Sequence, residues 1–302
     1  MQDFRMETFL TVCEVMNFTK AAALLNLTQP AVSQHIRFLE QAYQAELFSQ
    51  NGKKLSLTPA GNILYHAALT MRQDEQHMKM KILQAQDRIQ NYSFGATLTV
   101  AEFILEEDLK AFLADNPKSH VRMLVENTTD LLKKLDSSEI DFAIVEGEFP
   151  RDTYECLPYA RETYVAAAAP DKAARYQNAL IQDLLGETLI LREPGSGTRE
   201  ILENRLREQG IRTDQFANWI ELGNIGAINA LLKAGLGITF CYHSAIQKEV
   251  AAGELSLIPL QDLNLTHEIM FIFRKGSIFR EDYVKIYHKL CRVPCKSERD
   301  FV

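Results

Sequence analysis

Between Gly61 and Tyr92 the chain holds neither glycine nor proline, and Thr58-Pro59 stands just ahead of that run. A threonine cap followed by proline at the first helical position is a helix start, because the first turn has no partner for that N–H anyway. The pattern predicts one helix over 59–92, about 48 Å long at a rise of 1.5 Å per residue. Leu64, Ala68, Met71, Glu75, Met78, Ile82, Ala85 and Ile89 recur at alternating steps of four and three, with Glu75 the only polar member. Such a seam suits a second helix laid alongside, so a homodimer is expected; the other arrangement is a helix packed on its own domain. Either way the rod separates a short segment before it from a long one after it.

The short segment reads as helices. Met6, Phe9, Leu10, Cys13 and Met16 recur at helical spacing over residues 6–16. Thr19 can cap a second helix with Ala21, Leu24 and Leu25 turned inward, and Thr28 a third whose first turn tolerates Pro30. The short link between the two is the junction of a helix-turn-helix. On the third helix Val32, Ile36, Leu39 and Tyr43 form one apolar stripe, and Pro30, Ser33, Gln34, Arg37 and Gln41 lie opposite. Asn51-Gly52 inside "LFSQNGKKLSLT" is a hairpin signal, with Lys53 and Lys54 just past the turn. Three helices and a hairpin make a winged helix-turn-helix over residues 1–58. Five basic and five acidic side chains balance there, so the net charge of -7 belongs to the rest of the chain. That speaks against a nonspecific coater of nucleic acid, though a reader needs only locally placed cations.

After Tyr92 the texture becomes α/β with mostly parallel strands. Strand-like runs are "TLTVA" (97–101), "VRMLVE" (121–126), "DFAIVEG" (141–147), "YVAAAA" (164–169), "TLILRE" (188–193), "WIEL" (219–222), "GITFCY" (237–242) and "EIMFIF" (268–273). Three strand-to-helix junctions begin with cap-forming polar residues: Asn127-Thr128-Thr129, Gly195-Ser196-Gly197-Thr198-Arg199 and Gly223-Asn224-Ile225-Gly226. Ligands of open α/β sheets gather at such places, where free N–H groups and the helix dipole favour an anion or carboxylate. Plain helix capping is the other role open to all three. "PGSGTR" is the sharpest, with glycines for close approach, two hydroxyls and a cation; it lacks the Lys-Ser/Thr ending of a nucleotide loop.

Other classes are poorly served. No apolar run approaches the roughly 18 residues of a spanning helix, and "MQDFRMETFL" is no secretion signal. Cys13, Cys156, Cys241, Cys291 and Cys295 are scattered and odd in number, which suits reduced thiols in the cytoplasm. The seven histidines show no metal spacing, no Gly-x-Ser-x-Gly elbow occurs, and Glu106-Glu107-Asp108 reads as a solvated helix start. We therefore expect no metal, no cofactor and no enzyme.

"FTKAAALLNLTQPAVSQHIRFLEQ", then "LF" and "LSLTPAG", resemble the N-terminal domain of LysR-type transcriptional regulators. "DFAIVEG" and "LREPGSGTR" resemble effector-domain segments of the same family, especially a branch that includes regulators of sulfur assimilation and carbon fixation. The resemblance covers essentially the whole chain, dense over residues 1–61 and patchier beyond. It implies an α/β protein made of a winged helix-turn-helix (1–58), a linker and dimerisation helix (59–92) and a two-lobed effector-binding domain (93–302) like type 2 periplasmic binding proteins. Lobe I would take about 93–163 and 268–302, lobe II about 164–267, with the effector between them. Double-stranded DNA, a small-molecule effector and further copies of the chain, as homodimer or homotetramer, are the implied partners; no membrane is.

Carried over by position, Thr28, Gln29, Pro30, Ser33, Gln34 and Arg37 match the recognition helix. Gln and Arg there suit base edges, Thr and Ser suit phosphates, and Lys53 and Lys54 of the wing suit the phosphate backbone. The effector candidates are Asn127, Thr128, Ser196, Gly197, Thr198, Arg199, Asn224 and Ile225. Glu102 and Phe103 join them, where the family often has a Ser or Thr loop after the first strand. The sequence departs from the family at Tyr43-Gln44, where Leu-Gly is usual, and at Gln50, where Arg is usual. The expected function is a regulator that responds to a small anion or carboxylate metabolite. A response to no effector at all stays open, as does a cytoplasmic carrier that binds no specific DNA.

Overall fold

The computed structural model describes residues 3–51, 54–87, 90–147 and 149–291. Gly52 and Lys53 of the hairpin, Ile89 of the seam and Cys295 lie outside the described residues. The chain forms two compact units, Met1–Arg88 with Asp136–Glu139 and Arg274–Arg280, and Ile89–Leu135 with Ile140–Phe273 and Glu281–Val302.

The first unit begins with α1 (Phe4–Val15), α2 (Phe18–Leu24) and α3 (Gln29–Tyr43). Asn17, not Thr19, caps α2, its side chain accepting from Lys20 N at 2.9 Å. Both residues are good caps, and the start two residues earlier buries Ala21 and Ala22 while Leu24 turns out to solvent. Thr28 caps α3 as expected, accepting from Ala31 N. Val32, Ile36 and Leu39 are buried, but Tyr43 is 52% exposed. It is the last helical residue, and Gln44 turns the chain away in the left-handed region (φ 52°), so no wall reaches its ring.

Antiparallel strands β1 (Phe48–Asn51) and β2 (Lys54–Leu57) form the wing, and α4 (Pro59–Asp87) follows. Thr58 caps α4, accepting from Gly61 N at 2.9 Å and donating to Glu46 O at 2.6 Å. Among the described residues the helix runs to Asp87 and a strand begins at Asn91, so it stops short of the Tyr92 that the uninterrupted run suggested. Its seam divides. Leu64 and Ala68 join Phe9, Leu10, Val32 and Ile36 in the core of their own unit, whereas Met71, Met78 and Ile82 face solvent. Further along, Arg274 is 1% exposed and donates to Asp136 Oδ1 (2.8 Å) and His66 O (3.0 Å), while Arg72 donates to Asp136 O (2.7 Å).

The second unit holds β3 (Asn91–Ala96), α5 (Glu106–Asp115), β4 (His120–Val125), α6 (Thr128–Asp136) and β5 (Phe142–Val145). Then come β6 (Tyr154–Ala168), α7 (Pro170–Ala173), β7 (Thr188–Leu191), α8 (Gly197–Glu208), β8 (Asn218–Glu221) and α9 (Ile225–Lys233). The chain continues through β9 (Ile238–Tyr242), α10 (Gln247–Ala251), β10 (Ser256–Ile258), β11 (Leu265–Arg274) and α11 (Arg280–Leu290). The described strands make one sheet in the order β4-β3-β5-β11-β6-β9-β7-β8, with β10 on β6. It is mixed rather than mostly parallel. β3 runs parallel to β4 and β5, and β7 to β8 and β9, but β5–β11, β6–β9 and β6–β10 are antiparallel. The long strands β6 and β11 are neighbours at its middle. One lobe packs Leu131, Leu135, Ile140, Val145 and Ile272 together, and the other Leu189, Leu202, Leu206, Phe240 and Ile258.

One strand reading fails. "TLTVA" was expected extended, but β3 ends at Ala96 and the next residues coil. Thr97 N makes one ladder-like bond to Ile144 O (3.2 Å), then Ala101 N turns back to Thr97 O (2.8 Å) and Leu105 N to Val100 O (2.8 Å). The last is an i→i+5 bond, the mark of a π-turn over Val100–Ile104. Branched threonines and valine favour strands in isolation, but the position past the sheet's end overrides that preference. The other strand-like runs fall on strands.

Gly61 offers a direct test of how the wing and α4 meet. A Cβ there would stand 2.0 Å from Leu47 O. Gly61→Ala should lower unfolding free energy in chemical denaturation by about 1–3 kcal/mol, the usual range for forced overpacking. An unchanged midpoint would contradict this packing.

Candidate nucleic-acid interface and ligand site

Two places bring together the polar residues singled out above. In the first unit, Gln29, Gln34 and Arg37 stand exposed along α3, with Thr28 and Pro30 at its start and Ser33 half-buried. Gln29 Nε2 donates to Ser33 Oγ at 2.9 Å, holding two of these side chains in line. Arg37 makes no hydrogen bond or ion pair among the described residues, so its guanidinium is available. A groove beside it is lined by Gln29, Ser33, Arg37, Ser49 and Gln50, so the wing continues the helix face. Lys54 is exposed at the start of β2; Lys53 lies outside the described residues. His35 sits behind, bonded through Nδ1 to Thr8 Oγ1 at 2.9 Å, which ties α3 to α1.

The second place lies in the second unit, at the ends of β3, β5 and β7 and the start of α8. Its centre is Glu146, the residue after β5, which is 1% exposed. Glu146 Oε1 accepts from Thr198 Oγ1 at 2.9 Å and from Thr99 Oγ1 at 3.4 Å, and Thr128 Oγ1 donates to the Glu146 carbonyl at 2.8 Å. Glycine is required on both sides of this contact. A Cβ on Gly147 (φ 86°) would lie 2.7 Å from Gly197 Cα, and one on Gly197 would lie 2.7 Å from Glu146 O. Tyr164 Oη steadies the start of α8 by donating to Thr198 O at 2.8 Å.

Four buried polar atoms near these strand ends, Thr97 Oγ1, Glu146 Oε2, Ser196 Oγ and Tyr242 Oη, have no hydrogen-bond partner among the described residues. Ser196 is the N-cap of α8 yet makes no side-chain cap bond. A cavity of about 20 Å³ is lined by Thr99, Arg192, Thr198, Ile225, Phe240 and Cys241. That is room for a water. Burial, with a smaller push from Glu162, raises the Glu146 carboxyl to about 7 against the pull of Thr198, Arg192 and Thr99. Burial also raises the Tyr164 and Tyr242 phenols.

The sequence-expected ligand residues do not all meet here. Thr198 and Ile225 line the cavity, and Thr128, Ser196 and Gly197 surround the Glu146 contact. Asn127 and Asn224 are helix caps, their Oδ1 atoms accepting from Asp130 N and Ala227 N. Arg199 is engaged by Glu203 Oε1 (2.7 Å), Glu221 Oε2 (2.6 Å) and Arg192 O (3.0 Å). The arginine facing the cavity is Arg192, chelated by the Glu193 carboxylate at 2.8 and 2.9 Å. Glu102 is exposed and Phe103 half-buried on the π-turn, and neither lines the cavity. Glu146, Thr99 and Arg192 were missed. A charged residue that ends the apolar run "FAIV" at a strand's carboxyl end was the available signal for Glu146. Among the described residues no helix is long and apolar enough to cross a membrane.

Comparison with known proteins covers both parts of the chain. The family model for the LysR substrate binding domain matches residues 86–279, and that for the bacterial regulatory helix-turn-helix protein, lysR family, matches residues 4–62. The HTH-type transcriptional regulator CysL of Bacillus subtilis is 29% identical over 269 residues, 88% of this chain and 89% of that protein. CbbR of Rhodospirillum rubrum, also an HTH-type transcriptional regulator, is 28% identical over 277 residues, 90% of each. Both lie in the branch that "DFAIVEG" and "LREPGSGTR" resemble. Among solved structures, the full-length CbnR complexed with its target DNA matches with a TM-score of 0.53 and 19% identity, over 97% of this chain and 99% of that one.

The Glu146 environment makes stability pH-dependent in a definite direction. The folded chain keeps the Glu146 proton up to about pH 7, whereas the unfolded chain releases it near the ordinary value of 4.5, so stability falls as pH rises across that window. Glu146→Gln keeps an acceptor for Thr198 and cannot ionise. Its unfolding free energy relative to wild type should therefore rise between about pH 5 and pH 8, by an amount on the order of 3 kcal/mol. A difference that stays flat with pH would contradict the buried acid.

Proposed function

This chain belongs to the LysR family of bacterial transcriptional regulators, and from that premise we propose that it reads an operator with the exposed face of α3 and reports on a small anion or carboxylate metabolite held between its two α/β lobes. The family is one of DNA-binding regulators with an effector-binding domain, not of enzymes. The observation that carries the reading is the Gln29–Arg37 face. An exposed helix with glutamines, a serine and an unengaged arginine beside a wing has the shape and donors for major-groove edges and flanking phosphates. The protein works in the cytoplasm, where that DNA is.

Residues 1–58 carry no surplus of positive charge, so one copy binds weakly. Two copies joined along α4 present two recognition helices at a fixed spacing, and Met71, Met78 and Ile82, left exposed in one chain, supply the apolar contact.

For the effector, support comes from Arg192, the uncapped start of α8 and the hydroxyls of Thr99, Ser196 and Thr198. A space of about 20 Å³ holds a water, not a metabolite, so this is a closed arrangement that parts to admit its ligand. Binding then favours one lobe spacing over another, which is what a switch requires.

Arg37→Ala should weaken binding to DNA from upstream of the chain's own gene by roughly ten- to a hundredfold, the range for one lost bidentate base contact. Oligomeric state in sedimentation should not change. Footprints retained at wild-type concentrations would remove Arg37 from the interface. Ser196→Ala and Thr198→Ala should each reduce the thermal shift produced by any small anion that binds; equal shifts would remove the α8 start from the effector site.

A further inference from the structure

Resting on that reading of the effector site, we propose that Glu146 sets its ligand class: the cleft takes a small oxyanion or carboxylate together with one proton, shared between Glu146 Oε2 and a ligand oxygen. The two carboxyl oxygens are unlike. Oε1 is fixed by the hydroxyls of Thr198 and Thr99, while Oε2, equally withdrawn from water, meets no donor among the described residues. An ionised carboxylate leaves that oxygen unsatisfied in a buried place, which costs free energy; a protonated one makes it a donor that a ligand oxygen can satisfy.

The surroundings decide what the acceptor is. Ser196 leaves the first turn of α8 without a side-chain cap, and its own Oγ is unpartnered and 2% exposed. Helix-start N–H groups, hydroxyls and the Arg192 guanidinium are donors, and donors call for an anion. An anion beside an ionised Glu146 is repelled. The two demands agree only when Glu146 carries a proton, which it already holds below about pH 7 and takes from solvent as the ligand enters above it.

The charged and titratable groups that face Glu146 are compatible with this. They are Arg192 beyond β7, Glu162 and Tyr164 on β6, Tyr242 at the end of β9 and Glu200 on α8. Glu162 is itself raised by burial, with Ser244 and His243 beside it pulling the other way. Arg192 is the one cation in this set, and the Glu193 carboxylate already chelates it. Burial that pushes Glu146 up to about 7 supplies a proton acceptor in the range where a cell's pH lies.

The test is calorimetry on the full chain with sulfate, acetate and oxalate, none of which titrates between about pH 6 and pH 8.5, in two buffers of different ionisation enthalpy. At least one anion should bind near pH 6. Its affinity should fall about tenfold per pH unit above neutrality, with close to one proton taken up per site. Glu146→Gln should bind the same anion with no uptake and little dependence on pH. The proposal is overturned by binding at about pH 8 without proton uptake in wild type, by an unchanged pH dependence in Glu146→Gln, or by no anion binding at about pH 6. It is also overturned if a correctly folded Glu146→Gln loses binding at every pH, because Glu146 would then act as an acceptor for a ligand donor. Proton uptake by wild type needs no variant, so a poorly folding Glu146→Gln leaves the test intact. Failure of the site reading looks different: the anion binds, but Ser196→Ala and Thr198→Ala leave its affinity unchanged.

Discussion

The hydrogen bond from Thr198 Oγ1 to Glu146 Oε1 joins the start of α8 to the end of β5, and the elements around it are arranged to let the two meet. Gly147 and Gly197 lie so close that neither tolerates a Cβ, Thr128 holds the Glu146 carbonyl, and Tyr164 holds the carbonyl of Thr198. The contact brings a carboxyl group out of water. That loss is offset by two hydroxyl donors at one oxygen and by a proton at the other. The same arrangement leaves polar atoms unsatisfied at the carboxyl ends of the strands, where an open α/β sheet binds its ligand. Stability, and with it the proposed ligand preference, thus rests on one group.

The first unit solves a different problem. A helix of 29 residues has more apolar surface than a small winged domain can cover. Its first turns, through Leu64, Ala68 and Leu69, complete the core of that domain. Farther along, the buried Arg274 pairs with the half-buried Asp136, and the cost of burying the guanidinium is offset by its further bond to His66 O, while Arg72 holds the Asp136 carbonyl. What remains uncovered is the stretch with Met71, Met78 and Ile82. The packing role considered for the seam is therefore present in the first turns of the helix, and the exposed stretch beyond them is the one the proposed second copy would cover.

Much of this was legible because its causes are local. Thr28 and Thr58 announce helices three residues before the amides they accept from, and Val32, Ile36 and Leu39 fall on one face by helical geometry alone. Tyr43 obeyed the same period and is still exposed, because period says where a side chain points and not whether anything stands opposite. Helix starts were also found in the second unit, but Asn127 and Asn224 turned out to cap and little more. Arg199 and Arg192 could not be ranked from composition; only the positions of Glu203 and Glu221 show that Arg199 is engaged elsewhere. Glu146 was the hardest to read. Its partner Thr198 is 52 positions away and Thr99 is 47, and "TLTVA" looked like a strand, which hid the hydroxyl that reaches it.

A carbon-detected titration of the glutamate side-chain carboxyls by magnetic resonance, wild type against Glu146→Gln, reads the central group without any ligand. One carboxyl should titrate near neutrality in wild type and vanish from the variant, as expected for an acid held by burial at about 7. If the carboxyl missing from the variant titrates in the ordinary carboxylate range, Glu146 is ionised in the folded protein and this account of the site is wrong.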